Sequence, residues 1–273
     1  MLARQRQAYI VERVRQDGGV RVADLVRDLA VSDMTIRRDL EYLHERGLLE
    51  KVHGGATSVA GSAMFEPGFV AKSTLQLGEK QAIADAAAAL VEPGMAIGIS
   101  AGTTTYAIAQ RLVAVPGLTV VTNSPPVADV LHQAGRADQT IILTGGVRTP
   151  SDALVGPFAV LALQSVHLDL AFMGVHGMDA RSGFTTPNLL EAETDRVLVE
   201  AARRLVVVAD HTKWGVVGLS TIVGLSQADV LITDPGLSPE VHEMLSSLVG
   251  ELIVASPGAP ETVSAARAGV RAP

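Results

Sequence analysis

The spacing of apolar positions changes part-way along the chain, and the change predicts two kinds of structure. At the start the period is helical. Ile10, Val11 and Val14 share one face of a helix over 4–16, Val22, Leu25, Val26 and Leu29 follow at i, i+3, i+4 and i+7, and Ile36, Leu40 and Leu43 repeat that spacing in a third segment. Gly18-Gly19 stops the first helix, Ala30-Val31 is a tight connection, and Ser32 is suited to cap the third helix by accepting a first-turn amide. Gly47 ends that helix. Residues 48–52 then alternate loosely before a turn at His53-Gly54-Gly55, which predicts a two-stranded wing behind three helices.

Beyond residue 94 the pattern becomes short apolar runs separated by helical segments, at 95–99, 118–122, 140–143, 170–173, 205–209, 230–232 and 252–254. That rhythm predicts an α/β domain around a mainly parallel sheet. Between the two regimes, residues 60–78 show no sustained period and carry Gly61, Pro67, Gly68 and Gly78; an Ala-rich helix is expected to begin at Lys80 and stop at Glu92-Pro93-Gly94. The organisation expected is a winged helix-turn-helix over 1–58, a linker over 59–79, an α/β domain over 80–255 and a disordered tail over 256–273, which holds three prolines and no apolar period.

Charge sharpens this division. The chain of 273 residues carries a formal charge of −7, but residues 1–58 hold ten Lys+Arg against nine Asp+Glu and the remainder twelve against twenty, so the head is +1 and the body −8. A nearly neutral head on an acidic body attracts a polyanion only locally, and a single copy is expected to bind weakly. There is no cysteine, hence no disulfide framework and no thiolate nucleophile or metal ligand. The first residues lack a basic start followed by an apolar stretch, and the later apolar runs are strand-sized, which predicts a cytoplasmic protein with no membrane partner.

On the third helix, about 100° per residue places Arg38 nearly opposite the Ile36, Leu40 and Leu43 stripe, with Thr35 and Arg37 beside it. The first turns of a recognition helix face base edges, which leaves Glu41 and Glu45 further from the groove. Ser32, Met34, Thr35, Arg37 and Arg38, with Lys51, His53 and Gly54 of the wing, are therefore the candidate contacts to double-stranded DNA. Adjacent arginines alone would equally suit a solvated helix face. The ordered set of cap, arginines, glycine stop and wing favours DNA.

In the second region, polar and glycine residues gather where predicted strands end, the place where open α/β sheets bind ligands. Ser100-Ala101-Gly102-Thr103-Thr104-Thr105 follows one strand and opens a helix; glycine permits close approach, and free amides with threonine hydroxyls suit an anion. Asn123, Gly145-Gly146 with Arg148, Asp169 ahead of Gly174, and Asp210 with Lys213 mark further strand ends. Each alone is an ordinary turn or surface residue. Their repetition points to one shared pocket. The seven histidines are scattered, and none forms a spaced pair of metal ligands on one helix face.

The run ValSerAspMetThrIleArgArgAspLeu, the Gly47 stop and His53-Gly54-Gly55-Ala56 resemble the DeoR family of bacterial sugar-metabolism regulators, as do SerAlaGlyThrThrThr, ValValThrAsnSer, LeuThrGlyGly, LeuValGlyPro, AspLeuAlaPheMetGly and ValAlaAspHisThrLys further on. The resemblance spans roughly residues 4–255. It implies a sensor domain similar to ribose-5-phosphate isomerase and the coenzyme A transferases, an effector that is a phosphorylated sugar or polyol, no cofactor, and a repressor acting on operator DNA as a dimer or tetramer. The phosphate would lie on residues 100–105 with Lys213 and Arg148 supplying charge, while Asp169, Asn123 and either Glu191 or Glu193 meet hydroxyls. Pro125-Pro126 departs from the pattern, although a first helical turn tolerates proline. A sugar-phosphate isomerase is the alternative, with Glu191 or Glu193 and Lys213 as its acid-base pair; against it, isomerisation needs no DNA-binding head, and Ala171-Phe172-Met173-Gly174 stands where the isomerase has an acidic pattern. A third possibility is a domain that only pairs the heads.

Overall fold

The computed structural model describes residues 2–17, 19–46, 48–52, 54–57 and 68–256. Gly18, Gly47, His53, the first part of the expected linker with Gly61 and Pro67, and the tail over 257–273 lie outside the described residues.

The head comprises α1 (Ala3–Asp17), β1 (Gly19–Arg21), α2 (Val22–Leu29), α3 (Asp33–Glu45), β2 (Glu50–Val52) and β3 (Gly55–Thr57). All three expected helices form. Ile10, Val14, Leu25, Ile36, Leu40, Leu43 and Leu49 close one small core, each fully buried branched side chain contributing about 1.5–3 kcal/mol. Ser32 caps α3 as its sequence position suggested, its hydroxyl accepting from the Thr35 amide at 3.2 Å. The wing, however, has three strands rather than two, in the antiparallel order β1-β3-β2. The extra strand is only Gly19-Val20-Arg21, too short for alternation to show in sequence. Its approach explains Gly55: a Cβ there would stand 2.0 Å from the Val20 carbonyl oxygen.

One buried ion pair ties α1 to α3. Arg6 and Asp39 are both buried and joined through Nε and Oδ2, and Asp39 Oδ1 also accepts from Gln7 Nε2 at 2.9 Å. Asp39, next to the outward Arg38, thus points inward and fixes the first helix against the third.

After α4 (Phe69–Lys72) and α5 (Leu77–Ala88) come β4 (Ala96–Ile99), α6 (Thr103–Leu112), β5 (Thr119–Thr122), α7 (Pro125–Gln133), β6 (Thr140–Leu143), β7 (Val147–Arg148), β8 (Leu154–Val155) and α8 (Pro157–Gln164). The chain continues with β9 (Leu170–Gly174), β10 (Gly177–Asp179), β11 (Gly183–Thr186), α9 (Leu189–Glu200), β12 (Leu205–Val208), β13 (Ser220–Val223), β14 (Val230–Thr233), α10 (Pro239–Leu248) and β15 (Glu251–Val254). The seven apolar runs identified in the sequence form one sheet in the order β15-β14-β12-β9-β4-β5-β6, every neighbouring pair parallel. Strand alternation sorts the core. Ile97, Ile99, Phe172 and Val206 face α5, α6 and α7, while Met173 and Val207 pack with α9 and α10 residues, and Val121 and Ala171 with Leu163 of α8 and Leu198 of α9. An antiparallel β10-β11-β13 sheet and the β7-β8 pair stand beside this layer.

Two local expectations change, and a third holds. The stretch 60–78 is not wholly irregular, since α4 forms there, and α5 starts at Leu77 rather than Lys80. Gln76 takes a left-handed conformation before it, at φ 50° and ψ 45°, and Gly78 in the first turn hides the helical period. Pro125 and Pro126 open α7 behind the Ser124 cap, where their missing amides cost nothing.

Asp39→Ala strands the Arg6 guanidinium in the head core and is expected to destabilise the protein by about 3–5 kcal/mol in urea unfolding. The Arg6→Met, Asp39→Leu double variant should regain most of that loss.

Candidate functional site

The sheet order locates the site before any side chain does. From β4 the chain passes to β5 on one side, and from β9 to β12 on the other, so β4 and β9 flank the point at which the connections reverse. Loops leaving two such strands diverge and leave a crevice at their carboxyl ends. The cleft found there is lined by Ala101, Gly102, Thr103 and Thr104 after β4, Gly174, Val175 and His176 after β9, Ser151 and Thr186 beside them, Glu191 and Asp195 of α9, and Lys72 and Lys213.

One wall favours an anion. Gly102, at φ 151° and ψ 161°, turns the chain from β4 into α6, and the first-turn amides of a helix have no intrahelical acceptor. Thr105 is buried and steadies this turn, its hydroxyl donating to the Gly102 carbonyl at 3.0 Å. Asn123 supports it from β5, Oδ1 accepting from the Ala101 amide at 2.9 Å, and the Ser100 hydroxyl accepts from the Gly174 amide at 3.0 Å, joining the two diverging strands. Lys72 and Lys213 add positive charge.

The opposite wall accepts hydrogen bonds. Glu191 and Asp195 are one helical turn apart on α9 and both are buried. Glu191 is anchored by three hydroxyl donors: Thr149 at 2.5 Å, Thr186 at 3.2 Å, and Ser151. A cleft with cations and amides on one side and carboxylates with hydroxyls on the other suits a molecule that has an anion at one end and hydroxyl groups at the other.

Beneath the cleft lies a buried charged cluster. Lys80 Nζ donates to the carbonyls of Lys72 at 2.7 Å and Leu75 at 2.6 Å, closing the end of α4. Burial pushes this ammonium down to about 8; Asp210 and Glu12 pull upward, and Lys213 and Lys72 add to the fall. Burial raises the Asp210 carboxyl, but Lys213, the Thr212 hydrogen bond and Lys80 together hold it below its usual range.

Of the residues proposed from sequence, Gly102, Thr103, Thr104, Glu191 and Lys213 line the cleft, and Ser100, Thr105, Asn123 and Asp210 support it. Five do not belong. Asp169 precedes β9, at the amino end of the sheet, where its Oδ2 accepts from the Ala96 amide at 2.9 Å. Glu193 lies on the exposed side of α9 between the two inward carboxylates. Arg148 is exposed and paired with Asp152 at 2.9 Å, while Gly145 and Gly146 shape the loop into β7. Sequence reasoning missed Lys72, Ser151, His176, Thr186 and Asp195. Only Asp195 carried a usable signal, one turn beyond Glu191.

In the head, Met34 and Arg38 are exposed, Thr35 is half-buried, and Arg37 is exposed but bonded to Asp33, which raises its pKa through the hydrogen bond and then the opposite charge. Lys51 of the wing is paired with Glu41 of α3. Arg38 has no hydrogen bond or ion pair with another described residue. Gly54 closes the wing at φ 84°.

Residues 6–61 match the DeoR-like helix-turn-helix domain, and residues 75–235 match the DeoR C terminal sensor domain. The chain belongs to the DeoR family of DNA-binding transcriptional regulators. It is 39% identical over 256 residues, 93% of this chain and 99% of the relative, to the uncharacterized HTH-type transcriptional regulator YgbI of Escherichia coli (strain K12). It is 32% identical to the glycerol-3-phosphate regulon repressor of the same organism, over 89% of this chain and 95% of that one. These relatives are regulators and not enzymes, and the isomerase alternative falls with that finding. Ribose 5-phosphate isomerase A of Methanocaldococcus jannaschii aligns at a TM-score of 0.37 and 17% identity, over 50% of this chain and 53% of that one. Among the described residues no helix is long and apolar enough to cross a membrane.

Two consequences can be measured. If Arg38 meets phosphate, Arg38→Ala should weaken binding on every DNA sequence and flatten the salt slope by about one, whereas a base contact should cost about 1–3 kcal/mol and relax preference at one position; unchanged operator affinity removes it from the interface. For Lys80, the unfolded chain keeps its proton to about 10.5 while the folded chain releases it near 8. Between those values the unfolded state binds more protons, so stability rises with pH; the burial penalty is full below 8 and gone above 10.5. Wild type should therefore gain about 2–3 kcal/mol on Lys80→Met between about pH 7 and about pH 10 in urea unfolding.

Proposed function

We propose that this regulator is a cytoplasmic repressor of carbohydrate-metabolism genes, released from its operator by a phosphorylated sugar or polyol. The observation that carries this is the two-sided cleft: amides at the start of α6 with Lys72 and Lys213 on one wall, Glu191 and Asp195 with the hydroxyls of Ser151 and Thr186 on the other. The first wall matches a phosphate and the second matches hydroxyl groups. The similarity to the glycerol-3-phosphate regulon repressor, by the regulon it is named for, supports a small polyol phosphate as one member of that class.

The division of labour follows the two regimes of the sequence. Residues 1–58 bind DNA through Ser32, Met34, Thr35, Arg37, Arg38, Lys51, His53 and Gly54; residues 80–255 sense the effector, and 59–79 join them. A head of net charge +1 needs a partner copy, so we place the working unit as a dimer or tetramer in which two heads clasp one operator.

The test uses fluorescence anisotropy on the promoter fragment beside this protein's own gene. Glycerol 3-phosphate, ribose 5-phosphate, glucose 6-phosphate and fructose 6-phosphate are each compared with the unphosphorylated compound. At least one phosphate should weaken operator binding about tenfold or more, a coupling within the range usual for allosteric proteins, and its parent compound should not. Gly102→Leu should remove that response and leave DNA affinity intact. Indifference to every phosphate, or an equal response to the parent compounds, rejects the proposal.

A further inference from the structure

The cleft offers about 50 Å³, room for roughly three to five waters at 10–15 Å³ each, so a sugar phosphate seats fully only if some of the lining gives way. Half of the other lining residues sit on strands or on the long helices α6 and α9. Lys72 instead sits on a four-residue helix outside that framework. It ends α4, a single turn held at one end by the Phe69 amide on the Pro150 carbonyl at 3.2 Å and by the Phe69 ring edge-on to Tyr106 of α6, centroids 5.8 Å apart. At the other end Lys80 grips the carbonyls of Lys72 and Leu75. The same short helix packs against α1 of the DNA-binding head, whose Glu12 acts on the charge of Lys80.

We propose that Lys72 contacts the effector's anion, and that α4 is the strap through which the occupied cleft acts on the head. An anion seated on residues 102–104 pairs with the Lys72 ammonium and displaces it from its place in the lining, α4 shifts with it, and α1 loses the surface on which it rests. Lys80 is a positioning residue: it touches neither effector nor DNA, and sets where α4 lies. This rests on the sensor function proposed above and extends it from a binding site to a route of transmission.

The experiment uses the full chain, with inorganic phosphate and the four sugar and polyol phosphates of the panel as probes. Probe binding is read by isothermal titration, and transmission by operator anisotropy with and without probe. Lys72→Ala should weaken probe binding about tenfold or more, the usual consequence of losing a charge-assisted hydrogen bond, with operator affinity unchanged in the absence of probe. Lys80→Met should bind operator within about threefold of wild type in the absence of probe, yet its operator affinity should no longer respond even to a saturating concentration of probe. A retained response in Lys80→Met, or unaltered probe binding by Lys72→Ala, overturns the inference while leaving the sensor function standing. Should Lys80→Met fail to fold, hydrogen exchange on wild type decides: probe must alter protection of the Lys72 and Ser73 amides of α4, and unchanged protection overturns the inference. If no probe binds wild type, sensor function and strap fall together.

Discussion

Seven strands running in one direction impose the arrangement on which everything else in the sensor depends. A parallel strand needs a crossover, so each is followed by a loop leaving the same edge of the sheet. The chain reverses its direction of travel between β4 and β9, and the loops after those two strands therefore part. Ser100 and Gly174 are the last groups that still meet, hydroxyl to amide; beyond them the backbones separate and the cleft begins. The glycine at 102 and the threonines behind it are useful because this geometry already aims the start of α6 at the gap.

Placing charge around such a gap has a cost, which the structure meets with partners. Glu191 is buried but takes hydrogen bonds from three hydroxyls, and Asp210 is buried but faces Lys213 and Lys80. Lys80 is the least settled of them, since two carbonyls and a neighbouring carboxylate do not offset its loss of water. A residue held at such expense above an apolar alternative has to be explained by position, and its position is the end of α4.

Much of this architecture was legible in the sequence because burial leaves periodic traces. The seven apolar runs all became strands of one sheet, and the stripes at Leu25 and Leu40 became the core of the head. Misplaced residues show where such traces stop. Asp169 was placed at the pocket although it precedes its apolar run while Ser100, Asn123 and Asp210 follow theirs; strand direction puts it at the far end. Glu191 and Glu193 differ by two positions, about 200° around a helix, so one had to face outward, but only the packing of α9 tells which. Lys72 left no trace at all, since one turn of helix is too short for a period.

The head presents the opposite economy to the sensor. The ion pairs on the outward side of α3 and the wing, Arg37 with Asp33 and Lys51 with Glu41, are exposed, and such pairs are worth little in water, so phosphates can replace the carboxylates without great loss. The gain per head is correspondingly small, and affinity in the proposed paired arrangement comes from engaging two heads at once, a term set by their spacing. In the proposed strap, spacing is what a shift of α1 would change. A sensor that moved one helical turn beneath α1 would then need no direct contact with α3 or with DNA: disturbing the geometry of simultaneous engagement would be enough to release a weakly charged pair of heads from a duplex.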